Sequence, residues 1–496
     1  MRKNIQIIGS GFSSMAAACY LAQAGHQVTV HEKNNTVGGR ARQLKRNGFT
    51  FDIGPTWYWM PDIFERFFAD FGKKPTDYYG LKKLAPAYSV YFSDGTQVTI
   101  SDSLEEIART FEAIESGSGA KLKKFIESAR ENYDIAIGDL VYRPGQSFTE
   151  LITWETFKKC SLFLKNISSE MRKQFKDEKL IRILEFPVLF LGAKPSDTPY
   201  FYNFMNYADF GLGTWHPENG MYGVVQAMEK LARELEVQFE CNSKVSEIVV
   251  ENNQAVGLVA NGRFIASDVV LSGADYHHTE TLLPENNRQF SENYWDKKTF
   301  APSSLLFYVG FDKKIKNVEH HTLFFDADFD AHASAIYDRP EWPEDPMFYA
   351  SFPSITDAHV APEGCEAAIF LIPLAPGLED SKQMREHYFN LLLDRLEINT
   401  QQSLKKHVLF KESFGINDFK EQYNSYKGNA YGLANTLLQT AFLRPGLKSK
   451  KINQLYFTGQ LTVPGPGVPP ALISGKLAAG LIQKINNHES TIRHRF

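Results

Sequence analysis

Apolar and polar residues alternate along this chain in two different periods, and the changes of period mark out its elements. Ile5, Ile7 and Ile8 form a short apolar strand that runs into Gly9-Ser10-Gly11, and the alanine-rich run Ala16-Ala17-Ala18-Cys19-Tyr20-Leu21-Ala22 predicts a helix directly after it. Val28-Thr29-Val30 is the next strand. Residues 88–92 and 97–100 alternate around Ser93-Asp94-Gly95-Thr96, as a hairpin does, and helical periodicity follows over 104–132, broken by the Ser116-Gly117-Ser118-Gly119 connector. A second amphipathic helix is predicted over 220–236, then strands over 237–240, 244–250 and 268–272 that return to the character of the first strand. Residues 304–311 alternate again; a last strand lies over 454–459, before a proline-glycine turn and a helix over 472–485. No internal repeat is present.

The first candidate site lies between Gly9 and Arg40. Gly9 and Gly11 let the backbone approach a pyrophosphate, which then rests on the amides that open the helix from Phe12. Glu32 ends the second strand, where a carboxylate accepts hydrogen bonds from adenosine ribose hydroxyls and repels the 2′-phosphate of NADP. A lone string of this type is weak evidence; the strand before it, the helix after it and the acidic residue at the right distance strengthen it. Gly38-Gly39-Arg40 adds backbone donors and a guanidinium for the same pyrophosphate, which favours FAD over NAD. Ser14 stands where the usual fingerprint has its third glycine, so helix and strand are expected to pack slightly further apart.

Composition removes several alternatives. With 496 residues, 43% apolar and 23% charged, the chain is long enough for two or more lobes around large cores. A net charge of −4 with no basic tail gives no reason to expect nucleic acid. Cys19, Cys160, Cys241 and Cys365 lie far apart without a CxxC pair, against a disulfide framework, a zinc site or a dithiol centre, and a reducing, cytoplasmic setting fits. The first strand follows Met1-Arg2-Lys3 directly, so no leader is expected, and no run reaches the roughly 18 apolar residues of a spanning helix. His277-His278 and His320-His321 are read as structural, since adjacent side chains point apart and no carboxylate cluster accompanies them.

Nearly end to end, the chain resembles bacterial carotenoid desaturases of the phytoene desaturase type, flavoproteins related to amine oxidases and prenyl-protein escort proteins. The resemblance rests on Gly9-Ser10-Gly11, Glu32, Gly38-Gly39-Arg40-Ala41 and Gly48-Phe49-Thr50-Phe51-Asp52-Ile53-Gly54-Pro55-Thr56 at the start. In the middle it rests on Leu305-Leu306-Phe307-Tyr308-Val309-Gly310, His320-His321-Thr322-Leu323-Phe324-Phe325, Pro353-Ser354-Ile355-Thr356-Asp357 and Ala361-Pro362-Glu363-Gly364. At the end it rests on Asn453-Gln454-Leu455-Tyr456-Phe457-Thr458-Gly459 and Pro464-Gly465-Pro466-Gly467-Val468-Pro469. It implies an α/β fold: a Rossmann-like FAD-binding domain interleaved with an α+β substrate domain and a helical, membrane-associating region. The pieces are expected at 1–85 (FAD), 86–215 (helical, substrate and membrane), 216–280 (FAD), 281–415 (substrate) and 416–496 (FAD).

The same resemblance assigns Gly9, Gly11, Ser13, Glu32, Lys33, Gly39 and Arg40 to the ADP half of FAD. It brings Pro55 and Thr56 to the isoalloxazine side, the backbone of Val245 to the adenine, and Gly459, Gly467 and Val468 to the ribityl and flavin end. No cysteine lies in the C-terminal flavin-facing segment, so FAD is expected to be non-covalent. The activity implied is stepwise dehydrogenation of phytoene to lycopene, a hydride passing to flavin N5 and a proton leaving the adjacent carbon. No base is identified; Tyr58, Asp209 and His216 are conceivable and more readily read as structural. Without a second nucleotide fold or a dithiol, the electrons are expected to pass to oxygen or a membrane quinone.

The 38 phenylalanines and 22 tyrosines fit either a long apolar tunnel or simply a large core. Between Trp154 and Phe190, apolar Trp154, Phe157, Leu162, Phe163, Leu164, Phe175, Leu180, Ile181 and Leu184 alternate with eight lysines and arginines from Lys158 to Arg182. Such a stretch suits a bilayer interface, peripheral on the cytoplasmic face, from which a carotene is drawn; it equally suits a helix pair covering a core. The alternatives are a later desaturase of a hydroxylated or partly desaturated carotenoid, a redox-neutral carotenoid isomerase, and a prenyl-binding escort protein without flavin. An amine oxidase fits less well, because residues 461–470 carry no aromatic side chain for a cage.

Overall fold

The computed structural model describes residues 2–151, 154–189 and 191–493. Its first layer is a five-stranded parallel sheet in the order Leu455–Phe457, Val269–Ser272, Asn4–Ile8, Gln27–His31, Gln238–Glu240. The central strand pairs Ile7 with Val30 on one side and with Leu271 on the other. Strands buried on both faces need apolar side chains on both, which is why Ile5, Ile7, Val30, Val269 and Leu271 are all almost fully buried. The helix Phe12–Gln23 covers this sheet and packs against the C-terminal helix Val468–Arg493 and the helix Gly220–Glu234. Its small side chains Ala16, Ala17 and Ala18 let both neighbours come close.

Ser14 does not hold the helix away, contrary to the expectation from its side chain. It is fully buried, and its Oγ fills the space where a Cβ on Gly273 would stand. The missing atom has moved from the helix to the turn that faces it, and the close approach is kept. Residues 244–250 also depart from the reading. The strand Val245–Glu251 joins no parallel sheet; Asn252 and Asn253, both at positive φ, turn it back into an antiparallel sheet with Gln254–Ala260 and Arg263–Ala266.

The second layer is a seven-stranded sheet in the order Val408–Phe414, Ser303–Phe311, Glu366–Leu374, Phe348–Ser351, His321–Phe325, Tyr88–Phe92, Gln97–Ile100. Only the pair of His321–Phe325 and Tyr88–Phe92 is parallel. Ser303–Phe311 is buried at every position. Leu305, Phe307, Val309 and Phe311 pack with Phe389 and Leu392 of the helix Lys382–Thr400, whereas Leu306 and Tyr308 pack on the opposite face with Phe49, Phe51 and Phe410.

Helices Leu104–Ile114, Ser118–Gly138, Ile167–Gln174, Glu178–Leu189 and Phe204–Phe210 close the end of this sheet. The basic amphipathic stretch divides here. Phe175, Leu180, Ile181 and Leu184 face inward and are at most 2% exposed, so this half covers a core. Arg172 and Arg182 turn inward as well, onto the two oxygens of the wholly buried Glu185 at 2.6 and 2.9 Å. Lys159, Lys173 and Lys179 pair with Glu131, Glu170 and Asp94. Trp154 and Leu164 are exposed, at 65% and 84%. The Phe157 side chain and Phe190 lie outside the described residues.

Candidate functional site

A groove of about 280 Å³ runs over the carboxyl ends of the parallel strands. Gly9, Gly11, Ser13, Glu32, Lys33, Gly39, Arg40, Pro55, Val245, Gly459, Gly467 and Val468 all line it. Thr56 does not; it faces a neighbouring cavity, its Oγ1 2.8 Å from the Tyr349 hydroxyl. The helix Phe12–Gln23 opens into the groove from an extended Gly11, with neither a capping side chain nor an acidic residue in its first turn. Its first amides have no partners within the helix, which leaves a concentration of positive dipole facing the groove. Gly39, at φ +57°, lies over this helix end; a Cβ there would stand 3.1 Å from the Gly11 Cα.

Arg40 brings a guanidinium to this end. Its Nη2 donates to Ser425 Oγ at 3.2 Å, its guanidinium lies 5.2 Å from the Tyr423 ring centre, and its Nε is buried without a partner. Burial pushes the Arg40 pKa down, and the neighbouring Asp275 pulls it back up. A buried guanidinium with a donor to spare, beside unpartnered helix amides, fits the pyrophosphate of a dinucleotide. Glu32 is held at the far rim: Oε2 accepts from Ser10 N at 3.1 Å and Ser10 Oγ at 2.7 Å, and Oε1 accepts from Asn34 N at 2.9 Å and Nδ2 at 2.8 Å. Lys33 borders the groove but sends its Nζ to the Glu421 carbonyl at 2.8 Å, so its ammonium ties down the last turn of the helix Ile416–Tyr423. The Gly459 amide donates to Ser474 Oγ at 3.0 Å, so that amide is already taken.

A second cavity, of about 750 Å³, meets the groove at Gly54, Pro55, Leu371, Tyr431, Gly467 and Val468, which line both. Its walls are Trp57, Trp59, Phe186, Leu189, Phe201, Phe204, Leu323, Phe325, Phe348 and Val463 among others. It reaches toward Phe163, stacked on Phe201 at 4.6 Å, and the Thr440-Ala441-Phe442 loop, where Tyr202 and Thr440 hydroxyls meet at 2.9 Å. Several polar side chains along it are engaged with the protein. Both His332 nitrogens are used, by the Pro373 carbonyl at 2.9 Å and the Met347 amide at 3.0 Å; Lys194 pairs with Asp338 at 2.6 Å; Asn435 accepts from Arg444.

Tyr58 and Asp209 line neither space. Tyr58 OH lies 2.8 Å from Tyr79 OH, and Asp209 accepts from Tyr88 OH at 2.8 Å; burial pushes the Asp209 pKa up to about 7. His216 borders a small polar pocket with His320, and burial pushes its pKa down to about 4. His320 and His321 do not point apart: both are buried, with ring centres 4.5 Å apart. Among the described residues no group of three or more His, Cys, Asp or Glu is placed to hold a metal, and none of the helices is long and apolar enough to cross a membrane. Asp275, Tyr423 and Tyr431 were missed by the sequence reading. Asp275 had a signal, since it stands just beyond the end of the strand Val269–Ser272, where parallel sheets place their sites; Tyr423 and Tyr431 sit in irregular segments with none.

A model of the flavin containing amine oxidoreductases matches residues 13–483. The carotenoid 3,4-desaturase of Haloarcula japonica is 40% identical over 488 residues, 97% of this chain and 99% of that protein. The 4,4′-diapophytoene desaturase (4,4′-diaponeurosporene-forming) of Staphylococcus haemolyticus is 32% identical, over 96% and 97%. Among solved structures, an oxidoreductase from Methanosarcina mazei superposes with a TM-score of 0.64 at 17% identity over 95% of this chain and 99% of that one, and putrescine oxidase with 0.62 at 14% over 97% and 99%. The chain therefore belongs to the carotenoid desaturase family of flavin-containing amine oxidoreductases, whose cofactor is FAD.

Proposed function

We propose that this protein is an FAD-dependent carotenoid desaturase that dehydrogenates phytoene stepwise to lycopene. The observation that carries the reading is the junction of the two spaces: a groove built for a dinucleotide opens at Pro55, Tyr431 and Val468 into a cavity of aromatic and aliphatic walls. Arg40, the amides opening the helix Phe12–Gln23 and the Gly38-Gly39 turn would bind the pyrophosphate, Glu32 the adenosine ribose and Val245 the adenine. Apart from Val245, which opens the antiparallel sheet, these contacts gather at the end of the five-stranded sheet, read as a Rossmann-like domain. The bound flavin supplies a two-electron oxidant at the junction. The walls of the large cavity orient the chain and exclude water from the carbons that react. FAD is held without a covalent bond, and oxygen or a quinone takes up the electrons.

Phytoene is favoured because His332, Lys194, the Asn435 Oδ1 and Thr440, which line the cavity, are already paired within the protein. A hydroxylated end group would need donors or acceptors to spare. A second reading, desaturation of a later, hydroxylated or partly desaturated carotenoid, is supported by the 40% identity to the Haloarcula japonica enzyme. Trp154, Leu164 and Leu438, exposed near the Phe163 and Thr440 end of the cavity, would enter the cytoplasmic face of the membrane and deliver the substrate from lipid. The test is to supply the FAD-loaded protein with phytoene in liposomes and extract the products. Conjugated products ending at lycopene support the reading. Untouched phytoene, with turnover of a hydroxylated or partly desaturated carotenoid, replaces it with the second.

A further inference from the structure

One wall of the hydrocarbon cavity contains a hydrogen-bonded chain that neither cofactor nor hydrocarbon binding uses. The Tyr349 hydroxyl lies 2.8 Å from Thr56 Oγ1 and 2.7 Å from His321 Nδ1. Thr56 and Tyr349 both line the cavity, and Thr56 directly follows Pro55, which borders the cofactor groove as well. His321 is fully buried behind Tyr349, with the Trp57 ring stacked on it at 4.0 Å and 12°. Its Nε2 has no partner.

The polar series continues away from the cavity. His320 lies 4.5 Å from His321 between ring centres, and His216 lies 4.6 Å from His320. Thr56, His216, His320 and Ser351 enclose a pocket of about 10 Å³, close to the size that takes one water molecule. His216 Nε2, Ser351 Oγ and Asp357 Oδ2 are buried without partners, and the other oxygen of Asp357 lies 3.2 Å from Nδ1 of His359, whose side chain is 89% exposed. Buried polar atoms left unpaired are costly, and such clusters beside a reaction site have a functional reading.

We propose that Tyr349 is the catalytic residue that receives the proton lost in the desaturation step, and that His321 is the positioning residue that takes up the hydroxyl proton of Tyr349. The proposal rests on the desaturase reading. One carbon of the substrate gives up hydrogen with its electron pair to the flavin, the two-electron oxidant. The C–H bond on the adjacent carbon breaks, its electron pair becomes the new C=C bond, and the proton goes to Tyr349 Oη. In the same step the O–H proton of Tyr349 passes to His321 Nδ1. Tyr349 thus begins and ends neutral, as burial demands of it. Burial also keeps His321 neutral before the step, and in the tautomer protonated at Nε2 its Nδ1 accepts from the Tyr349 hydroxyl. A proton beside an allylic cation is acidic enough for so weak a base, and the face of Trp57 stabilises the imidazolium formed. A water in the pocket of about 10 Å³ bordered by His320 and His216 would bridge the gaps between these groups and carry the proton on toward Asp357 and the exposed His359.

Tyr349→Phe and His321→Asn test this in the FAD-loaded protein under anaerobic single turnover, with a panel of phytoene, diapophytoene and later acyclic carotenoids. His321→Asn keeps an acceptor near Nδ1 but cannot carry a proton. We expect flavin reduction slower by about 100-fold or more in both, with FAD content and quenching of tryptophan fluorescence by bound carotenoid unchanged, and with the solvent deuterium isotope effect of the wild type lost. Wild-type rates in Tyr349→Phe overturn the proposal. If the wild type reduces its flavin with no carotenoid, the desaturase reading fails and the proposal falls with it. A readout without turnover is ¹⁵N NMR of histidine-labelled protein. An unprotonated His321 Nδ1 that shifts in Tyr349→Phe supports the pair, whereas a proton already on Nδ1 leaves His321 no site for another and overturns it.

Discussion

The cofactor groove and the hydrocarbon cavity share six wall residues and obey opposite rules. The groove spends its polar groups on something still to come: Arg40 Nε is buried and unpartnered, and the helix behind Gly11 has neither cap nor acidic neighbour. The cavity satisfies its own polar groups, as His332 and Lys194 show, and presents ring faces and methyl groups. A charged, extended ligand is recognised by donors left open; an apolar one is recognised by leaving nothing open. Substitutions in the two regions should therefore fail differently, and four changes test the contrast in decreasing order of effect.

The largest effect is expected at Gly475, on the C-terminal helix. A Cβ there would overlap the Ser13 carbonyl oxygen and stand 2.8 Å from the Ala16 Cβ and the Ala17 amide nitrogen. Gly475→Val overpacks backbone against backbone, which costs about 1–3 kcal/mol or more, and it displaces the very helix turn that faces the pyrophosphate. Thermal unfolding should fall and the purified protein should lack flavin. A Gly475→Val protein that keeps its midpoint and its yellow colour would mean the two helices have room that the packing denies.

Arg40→Leu comes next and separates stability from binding. It removes a buried cation whose burial is unfavourable, and replaces it by apolar volume. The apoprotein should unfold no earlier than wild type, while FAD affinity falls by about 10- to 100-fold, the worth of a charge-assisted hydrogen bond of 1.5–3 kcal/mol. Equilibrium dialysis and calorimetry on the same preparation read both quantities. An equal loss of stability and affinity would make Arg40 a structural residue of the Tyr423 and Ser425 segment.

The groove was far more legible in the sequence than the cavity, for a physical reason. Gly9, Gly11, Glu32 and Arg40 act through backbone conformation, one carboxylate and one guanidinium, all within a strand–helix–strand unit and the turn that follows it, so local spacing carries the geometry. Residues around 57, 137, 163, 186, 204, 325, 348, 431 and 463 meet only after both sheets have formed, and no local period links them. Lys33 illustrates the boundary: spacing places it at the groove, and only the tertiary fold sends its ammonium to the Glu421 carbonyl. The stretch after Trp154 shows a second limit. Periodicity announces an apolar face but does not say what the face meets, and Phe175, Leu180 and Leu184 meet the interior. For His320 and His321 the rule of divergence applies inside a strand, yet the strand begins at His321, so His320 is free to turn back toward its neighbour.

A smaller effect, in pH, sharpens the same comparison on the side of the cavity region that carries no ligand. Asp209 is buried with one good donor, Tyr88 OH, and its pKa is pushed up to about 7, burial being the main cause. A carboxyl that holds its proton more tightly folded than unfolded favours the fold below about pH 4, and this contribution is lost as pH rises through about 7. Asp52, which accepts from the amides of Met221 and Tyr222, shares the direction and the value. Asp209→Asn removes one of the two titrations. Its melting temperature relative to wild type should therefore rise steadily between pH 4 and pH 7, and a constant difference would mean that Asp209 titrates normally.

The smallest effect on the folded protein is expected at Leu164, and for that reason it isolates the membrane question. Leu164 is 84% exposed and Leu438 77%, so replacing either by Glu removes almost no buried area and should change stability by no more than about 0.5 kcal/mol. Transfer of a leucine side chain out of water is worth about 1.5–3 kcal/mol, and a carboxylate in its place adds repulsion from anionic lipid. Leu164→Glu with Leu438→Glu should therefore lower partition onto vesicles containing phosphatidylglycerol by at least tenfold in a flotation assay, at unchanged FAD content and melting temperature. Turnover of a carotenoid dissolved in detergent micelles should persist, while turnover of the same carotenoid in vesicles should drop with the partition. Unchanged flotation would count against a lipid contact at these leucines, and equal loss in micelles and vesicles would mean that they shape the cavity mouth rather than its approach to a bilayer.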